Sequence, residues 1–252
     1  MSENSPNYLN LLNNEQRKAV ELTNGSLLVL AGAGSGKTRV LTFKILHILY
    51  KKLATPSQIL AVTFTNKAAN EMKIRIGKMI NLPIDRMWVG TFHSLALRVL
   101  RNHYEEVGLK KNFIIIDLDD QLKLIKKICE AEKIDTKEIS AKFFLNSIDG
   151  FKNKGMTFED IKESKYRKYD SELRQVYKIY QTELLRMNAV DFGDLILFCI
   201  KIFKSNKKIL QKYQNFFKFI LVDEYQDINT IQQMWIKFLY QGNKNICCVG
   251  DD

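Results

Sequence analysis

The segment Ala31-Gly32-Ala33-Gly34-Ser35-Gly36-Lys37-Thr38 places three glycines, a cation and a hydroxyl within eight residues. These are the types needed to hold a nucleoside triphosphate by its phosphates. Gly32, Gly34 and Gly36 let the backbone turn sharply and present N–H groups to oxygen anions ahead of a helix N-terminus. The Lys37 ammonium reaches β- and γ-phosphates, and the Thr38 hydroxyl can ligand Mg²⁺. Arg39 either approaches the nucleotide or pairs on the surface. A second group lies at 217–224, where the apolar run Phe-Lys-Phe-Ile-Leu-Val ends in Asp223 and Glu224. At the C-terminal edge of a parallel sheet, Asp223 would hold the Mg²⁺ shell and Glu224 would polarise the attacking water. Alone, such a pair is an ordinary polar strand end; downstream of a phosphate loop it reads as the second half of an ATP site. Gln16, in the stretch 13–20, adds an amide whose donor and acceptor match the N6 and N7 edge of adenine. An exposed helical glutamine would look the same.

These groups need a scaffold that brings distant segments to one edge. Residues 26–30 (Ser-Leu-Leu-Val-Leu) form a short apolar run of strand type. From Gly36 onward, Val40, Leu41, Ile45, Leu46, Ile48 and Leu49 recur at helical spacing. The alternation continues with strands at 58–63 and 87–91, helices at 66–80 and 92–103, and a short fourth strand at 113–116. Strands alternating with helices argue for a parallel sheet covered on both faces. From about 119 to 189 the pattern is helical instead, with a loop break at 150–155. Helices at 194–203 and 228–240 and a last buried strand at 245–249 follow. The expected fold class is therefore α/β, a phosphate-loop parallel sheet flanked by helices and interrupted by an all-helical insertion.

The chain has 252 residues, 46% of them hydrophobic, with a net charge of +11. That length buries a sizeable core in one or two domains. The excess charge sits before residue 113, where sixteen basic residues accompany seven acidic ones. Such a segment suits a polyanionic partner, and equally a lysine-rich solubilising surface. No apolar stretch is long enough to span a bilayer, and the polar start at 1–10 is not a secretory signal. Cys129, Cys199, Cys247 and Cys248 show no metal-ligand spacing and read as small core residues of a reducing compartment, which points to the cytoplasm.

Seven strings in order then carry a resemblance: 12–20, 31–38, Phe-Thr-Asn-Lys-Ala-Ala at 64–69, Thr-Phe-His-Ser at 91–94, Asp-Phe-Gly-Asp-Leu-Ile at 191–196, Asp-Glu-Tyr-Gln-Asp at 223–227 and Val-Gly-Asp-Asp at 249–252. Their order and spacing resemble the UvrD/PcrA/Rep family of superfamily 1 DNA helicases, over nearly the whole chain. The resemblance implies a RecA-like motor domain over 1–112 and 190–252, split by the helical insertion at 113–189. The resemblance implies ATP and Mg²⁺ as cofactors. Gln16 would read adenine, the stretch from Ala31, Gly32 and Ala33 through Thr38 would hold phosphates and metal, and Asp223 with Glu224 would serve metal and water. Gln226 and Asp227 would couple nucleotide state to DNA. Phe64, Thr65 and Asn66 would lie along single-stranded DNA, with Thr91, Phe92 and His93 beside it. Physics fits this placement, because an aromatic ring is a sequence-tolerant stacking surface worth about 1–3 kcal/mol per base. A core aromatic at Phe64 and a structural hydrogen-bond partner at His93 are the competing readings. Gly193 departs from the family, which usually has an acidic residue there.

The resemblance thus implies the N-terminal part of an ATP-dependent 3′-to-5′ DNA helicase acting on single strands and single/double-strand junctions. The second motor domain that the resemblance implies, with its arginines, is expected to be missing from this chain. Alone, the chain is expected to bind Mg-ATP weakly and hydrolyse it very slowly. Other readings are a non-catalytic ATP- and DNA-binding module, a RecB/AddA-type helicase–nuclease subunit, and an unrelated phosphate-loop switch. Oligomeric state and pathway are not encoded in these motifs.

Overall fold

A computed structural model describes residues 7–32, 34–80, 86–136, 138–162 and 169–251. In chain order its elements are α1 (Asn14–Glu21), β1 (Ser26–Leu30), α2 (Lys37–Tyr50), β2 (Ile59–Thr63), α3 (Asn66–Met79), β3 (Trp88–Thr91) and α4 (Phe92–Asn102). Then come β4 (Ile114–Ile115), α5 (Leu118–Ala131), α6 (Ala141–Asn153), α7 (Asp170–Arg186), β5 (Ala189–Val190) and α8 (Phe192–Ser205). The chain closes with α9 (Lys207–Phe216), β6 (Phe219–Val222), α10 (Thr230–Asn243) and β7 (Ile246–Gly250). They divide between two compact units. The first comprises the described parts of Met1–Leu95, Lys207–Ile228 and Ile236–Asp252; the second comprises Ala96–Asn206 and Asn229–Trp235.

The first unit is built on a five-stranded sheet in the order β1-β7-β6-β2-β3, every pairing parallel. Its central strands β2 and β6 are buried at every position, as apolar strands covered on both faces must be. β1 lies at an edge and alternates exposed with half-buried residues. Helix α2 buries Val40, Leu41, Ile45 and Ile48, each contributing about 1.5–3 kcal/mol relative to exposure. Trp88 of β3 packs edge-on against Phe217, with ring centroids 5.2 Å apart.

The second unit has its own core, including Ile125, Phe144, Val176, Tyr180 and Leu184. Here the structure corrects the expected fourth strand. Ile114 and Ile115 pair not with the large sheet but with Ala189 and Val190, in a separate two-stranded parallel ladder. Both strands are short because each runs almost directly into an Asp that caps a helix, Asp117 for α5 and Asp191 for α8. The expected break at 150–155 is also shorter than the sequence suggests. Gly150 stays helical within α6, and only Gly155 adopts the left-handed backbone, at φ +73°.

Candidate functional site

Because all five strands of the large sheet are parallel, their C-terminal ends share one edge, where ligands of open α/β sheets bind. β1 runs into Ala31, β2 into Phe64, β3 into Phe92, β6 into Asp223 and β7 into Asp251.

Gly34 and Gly36 take φ of +78° and +89°, conformations that favour glycine, and so turn the loop into α2. The Ala31 N–H donates to the Gly250 carbonyl at 3.1 Å and the Ser35 N–H to Gly32 O at 3.2 Å. The Lys37 side chain is only 8% exposed. Its ammonium donates to the carbonyls of Ala31 (2.8 Å) and Gly32 (3.3 Å) and pairs with the Asp251 carboxylate. The hydrogen bond that the ammonium donates to Asp251 raises the Lys37 pKa and outweighs desolvation, so Lys37 stays charged.

The second half of the site arrives through β6. Thr38 Oγ1 donates to Asp223 Oδ2 at 3.1 Å, joining residues 185 positions apart. Burial raises the Asp223 pKa and Glu224 adds repulsion, while the Thr38 bond opposes the shift. A hydroxyl beside a carboxylate is an all-oxygen pair that fits Mg²⁺, which uses few protein ligands and completes its shell with phosphate oxygens and water. Among the described residues there is no cluster of three or more His, Cys, Asp or Glu able to hold a metal unaided. Glu224 sits in the left-handed region at φ +50°, ψ +52°. Its carboxylate accepts from Gln226 Nε2 at 2.9 Å, and Gln226 Oε1 in turn accepts from the Asp251 N–H at 3.0 Å. Gln226 therefore bridges the ends of β6 and β7.

Gln16 reaches the loop as well. It is the third residue of α1 and closes a capping box, its Oε1 accepting from the Asn13 N–H at 3.2 Å. Its Nε2 donates to the Ser35 carbonyl at 3.0 Å. A primary amide has two N–H groups and two acceptor lone pairs, so one of each is left for a base edge. A Cβ on Gly36 would lie 2.9 Å from that nitrogen, which makes glycine the residue that admits it. Arg39 turns away, donating to Leu11 O at 2.6 Å with its guanidinium 5.4 Å from the Phe43 ring centroid. Ala33 and Asp252 lie outside the described residues.

Along the rest of the edge, Phe64 is 59% exposed. Thr65 caps α3, its hydroxyl accepting from the Ala68 N–H at 3.1 Å, and Asn66 is exposed on the first turn. Thr91 is half-buried and its Oγ1 accepts from the Ser94 N–H at 3.3 Å. His93 is half-buried. Phe92, only 5% exposed, belongs to the core and has no open face for a base in this structure. Asp251 belongs to the string at 249–252 but had been given no role at the site. The signal was available, an acid just beyond a buried strand, the same cue that singles out Asp223. No helix among the described residues is long and apolar enough to cross a membrane.

Comparison with known proteins bears on this geometry. Residues 12–252 match the model of the UvrD/REP helicase N-terminal domain. A probable DNA helicase II homolog of Rickettsia felis is 46% identical over 99% of this chain, which spans 38% of that relative. The ATP-dependent DNA helicase PcrA of Staphylococcus aureus is 43% identical over 96% of this chain and 33% of its own length. The chain thus spans about a third of the curated relatives it matches. With nearly all of its length inside the matched region, the chain belongs to the UvrD/REP helicase N-terminal domain family.

Proposed function

We propose that this chain is the ATP-binding and single-stranded-DNA-binding portion of an ATP-dependent 3′-to-5′ DNA helicase. The contact of Thr38 with Asp223, beside the Lys37 ammonium, carries the reading. In it, Gly32 to Thr38 wrap the phosphates, Lys37 exchanges Asp251 for the β- and γ-phosphates, and Gln16 offers its remaining N–H and lone pair to adenine. Mg²⁺, held by Thr38 and Asp223, would supply charge neutralisation at the phosphates. Glu224 orients and polarises the attacking water, and Gln226 relays the state of that carboxylate to the end of β7. Phe64 stacks a base, Thr65, Asn66, Thr91 and His93 bond the strand from the same edge, and Phe92 supports them from within.

The stretches 1–112 and 190–252 form the motor domain in this proposal, and 113–189 is a helical subdomain inserted in it. The interruption of the large sheet between β3 and β6 supports an insertion there, although the compact second unit begins earlier, at Ala96, and ends later, at Asn206, before taking in Asn229–Trp235. Single/double-strand junctions are the proposed substrate, and the cytoplasm the proposed site of action. The 252-residue chain alone binds Mg-ATP weakly and turns it over slowly, a behaviour shared by the non-catalytic-module reading; helicase-like DNA-stimulated turnover from it would overturn that expectation.

Titration with a fluorescent oligo-dT, with and without a non-hydrolysable ATP analogue, tests the assignment. Phe64→Ala should weaken DNA binding about tenfold or more, the value of one lost base stack, and leave nucleotide affinity unchanged. Unchanged DNA affinity would sink the stacking role.

A further inference from the structure

Lys44 is 4% exposed, yet among the described residues its ammonium meets no carboxylate. It donates to two backbone carbonyls instead, Ala19 O at 2.7 Å and Leu22 O at 2.5 Å. Burial lowers its pKa, with the neighbouring Cys247 thiol opposing the shift. A buried cation without a counter-ion is costly, and its location says what offsets the cost. Ala19 and Leu22 lie in the last turn and at the C-cap of α1, where helix carbonyls lack intrahelical partners and the helix dipole favours positive charge.

The other end of α1 touches the phosphate loop through Gln16 and Ser35. Lys44 stands seven residues after Lys37, two turns on along the same face of α2. So α1 is pinned at both ends to one continuous piece of chain, the loop and the helix that hold the phosphates. We propose that Lys44 is a positioning residue for nucleotide selectivity, fixing α1 so that the Gln16 amide stands in one orientation above the phosphate loop. This inference rests on the reading of Gln16 as the adenine contact.

Selectivity needs that fixity. Adenine presents a donor at N6 and an acceptor at N7, whereas guanine presents acceptors at both O6 and N7. An amide with its carbonyl held toward the N6 position meets guanine O6 as acceptor against acceptor and rejects it. An amide free to turn with a loose helix meets either base. The Lys37 and Thr38 contacts do not involve α1, so loss of Lys44 should relax base choice and spare most of the phosphate affinity.

The test compares Kd for AMP-PNP, GMP-PNP and inorganic tripolyphosphate, each with Mg²⁺, in the 252-residue chain. Lys44→Met and Lys44→Gln should lower the preference for the adenine analogue by roughly tenfold, the scale of one misaligned hydrogen-bonding group, with tripolyphosphate affinity within about twofold. Lys44→Arg, which keeps donors for the two carbonyls, should restore most of the preference. Gln16→Ala is the control: if it leaves the preference intact, the adenine reading itself fails. If Gln16→Ala removes the preference and a folded Lys44→Met or Lys44→Gln keeps it, the positioning role is overturned. Should both truncations fail to fold, Lys44→Arg decides. In that variant a residual fall of about two- to threefold in the adenine preference, with tripolyphosphate affinity unchanged, supports the proposal, whereas an unchanged preference, or tripolyphosphate binding weakened as much as AMP-PNP binding, overturns it.

Discussion

Two nearly buried lysines, one in each unit, meet aspartates with opposite consequences. Lys37 is held by two loop carbonyls and by Asp251, whose side chain is 44% exposed. Lys152, in the second unit, is 1% exposed and donates to Asp191 and Asp194 at 2.6 Å each. Those carboxylates are otherwise occupied: the Tyr180 hydroxyl donates to Asp191 at 2.9 Å, Gln181 Nε2 to Asp194 at 3.1 Å, and the Asp194 N–H to Asp191 at 2.9 Å. The first lysine therefore has a partner that water or a phosphate can replace, while the second is enclosed on every side. Accessibility of the counter-ion, rather than the presence of a Lys–Asp pair, separates the proposed binding group from the structural pin.

Substitution of each lysine should break the comparison in opposite directions. Lys152→Met leaves two carboxylates without their cation, and the unfolding free energy should fall by about 3–5 kcal/mol in urea titration. A loss below about 1 kcal/mol would place the network among ordinary surface pairs. Lys37→Met should instead weaken binding of a Mg²⁺–ATP analogue by roughly a hundredfold through lost charge-assisted bonds, with the urea midpoint little changed. A large midpoint shift with intact nucleotide affinity would reverse the assignment.

A pH series sharpens the contrast. Burial, with repulsion from Asp191, raises the Asp194 pKa from 3.8 to about 6, against the pull of Lys152 and Gln181. The folded protein then holds this proton more tightly than the unfolded chain. Its contribution is fully present below about pH 4 and is lost as pH rises through 6. Asp194→Asn should remove that decline, whatever it does to absolute stability; urea midpoints with parallel pH profiles in both proteins would refute the shift. A smaller effect is expected at Gly193. A Cβ there would stand 2.9 Å from Lys152 Cδ and 3.0 Å from its Cβ, and the lysine is too firmly held to move aside. Gly193→Ala should cost about 1–3 kcal/mol by overpacking, read from the same denaturation curves. The departure from the family at this position thus makes room for the Lys152 stem.

The motif-bearing edge was legible because each strand of the large sheet is an apolar run that ends abruptly in functional residues. The pair Thr38 and Asp223 could be matched on those grounds alone. Elsewhere local pattern ran out. Residues 113–116 look like a strand, but periodicity cannot say which sheet a strand joins. Helix α9 escaped notice because its lysines and glutamines dilute the apolar stripe through Leu210 and Tyr213. Lys44 and Lys152 counted only as charge, since the carbonyls and carboxylates that bury them lie 22 to 42 residues away. Phe92 was read with its half-buried neighbours Thr91 and His93, although it is itself buried.

Glu224 occupies a backbone well where side-chain-bearing residues are penalised by about 1–2 kcal/mol. Glycine would rest there comfortably, so Glu224→Gly should yield a hardier fold that has surrendered its acid. The chain retains tension at the one carboxylate proposed to face water, a strain that the surrounding fold must hold in place.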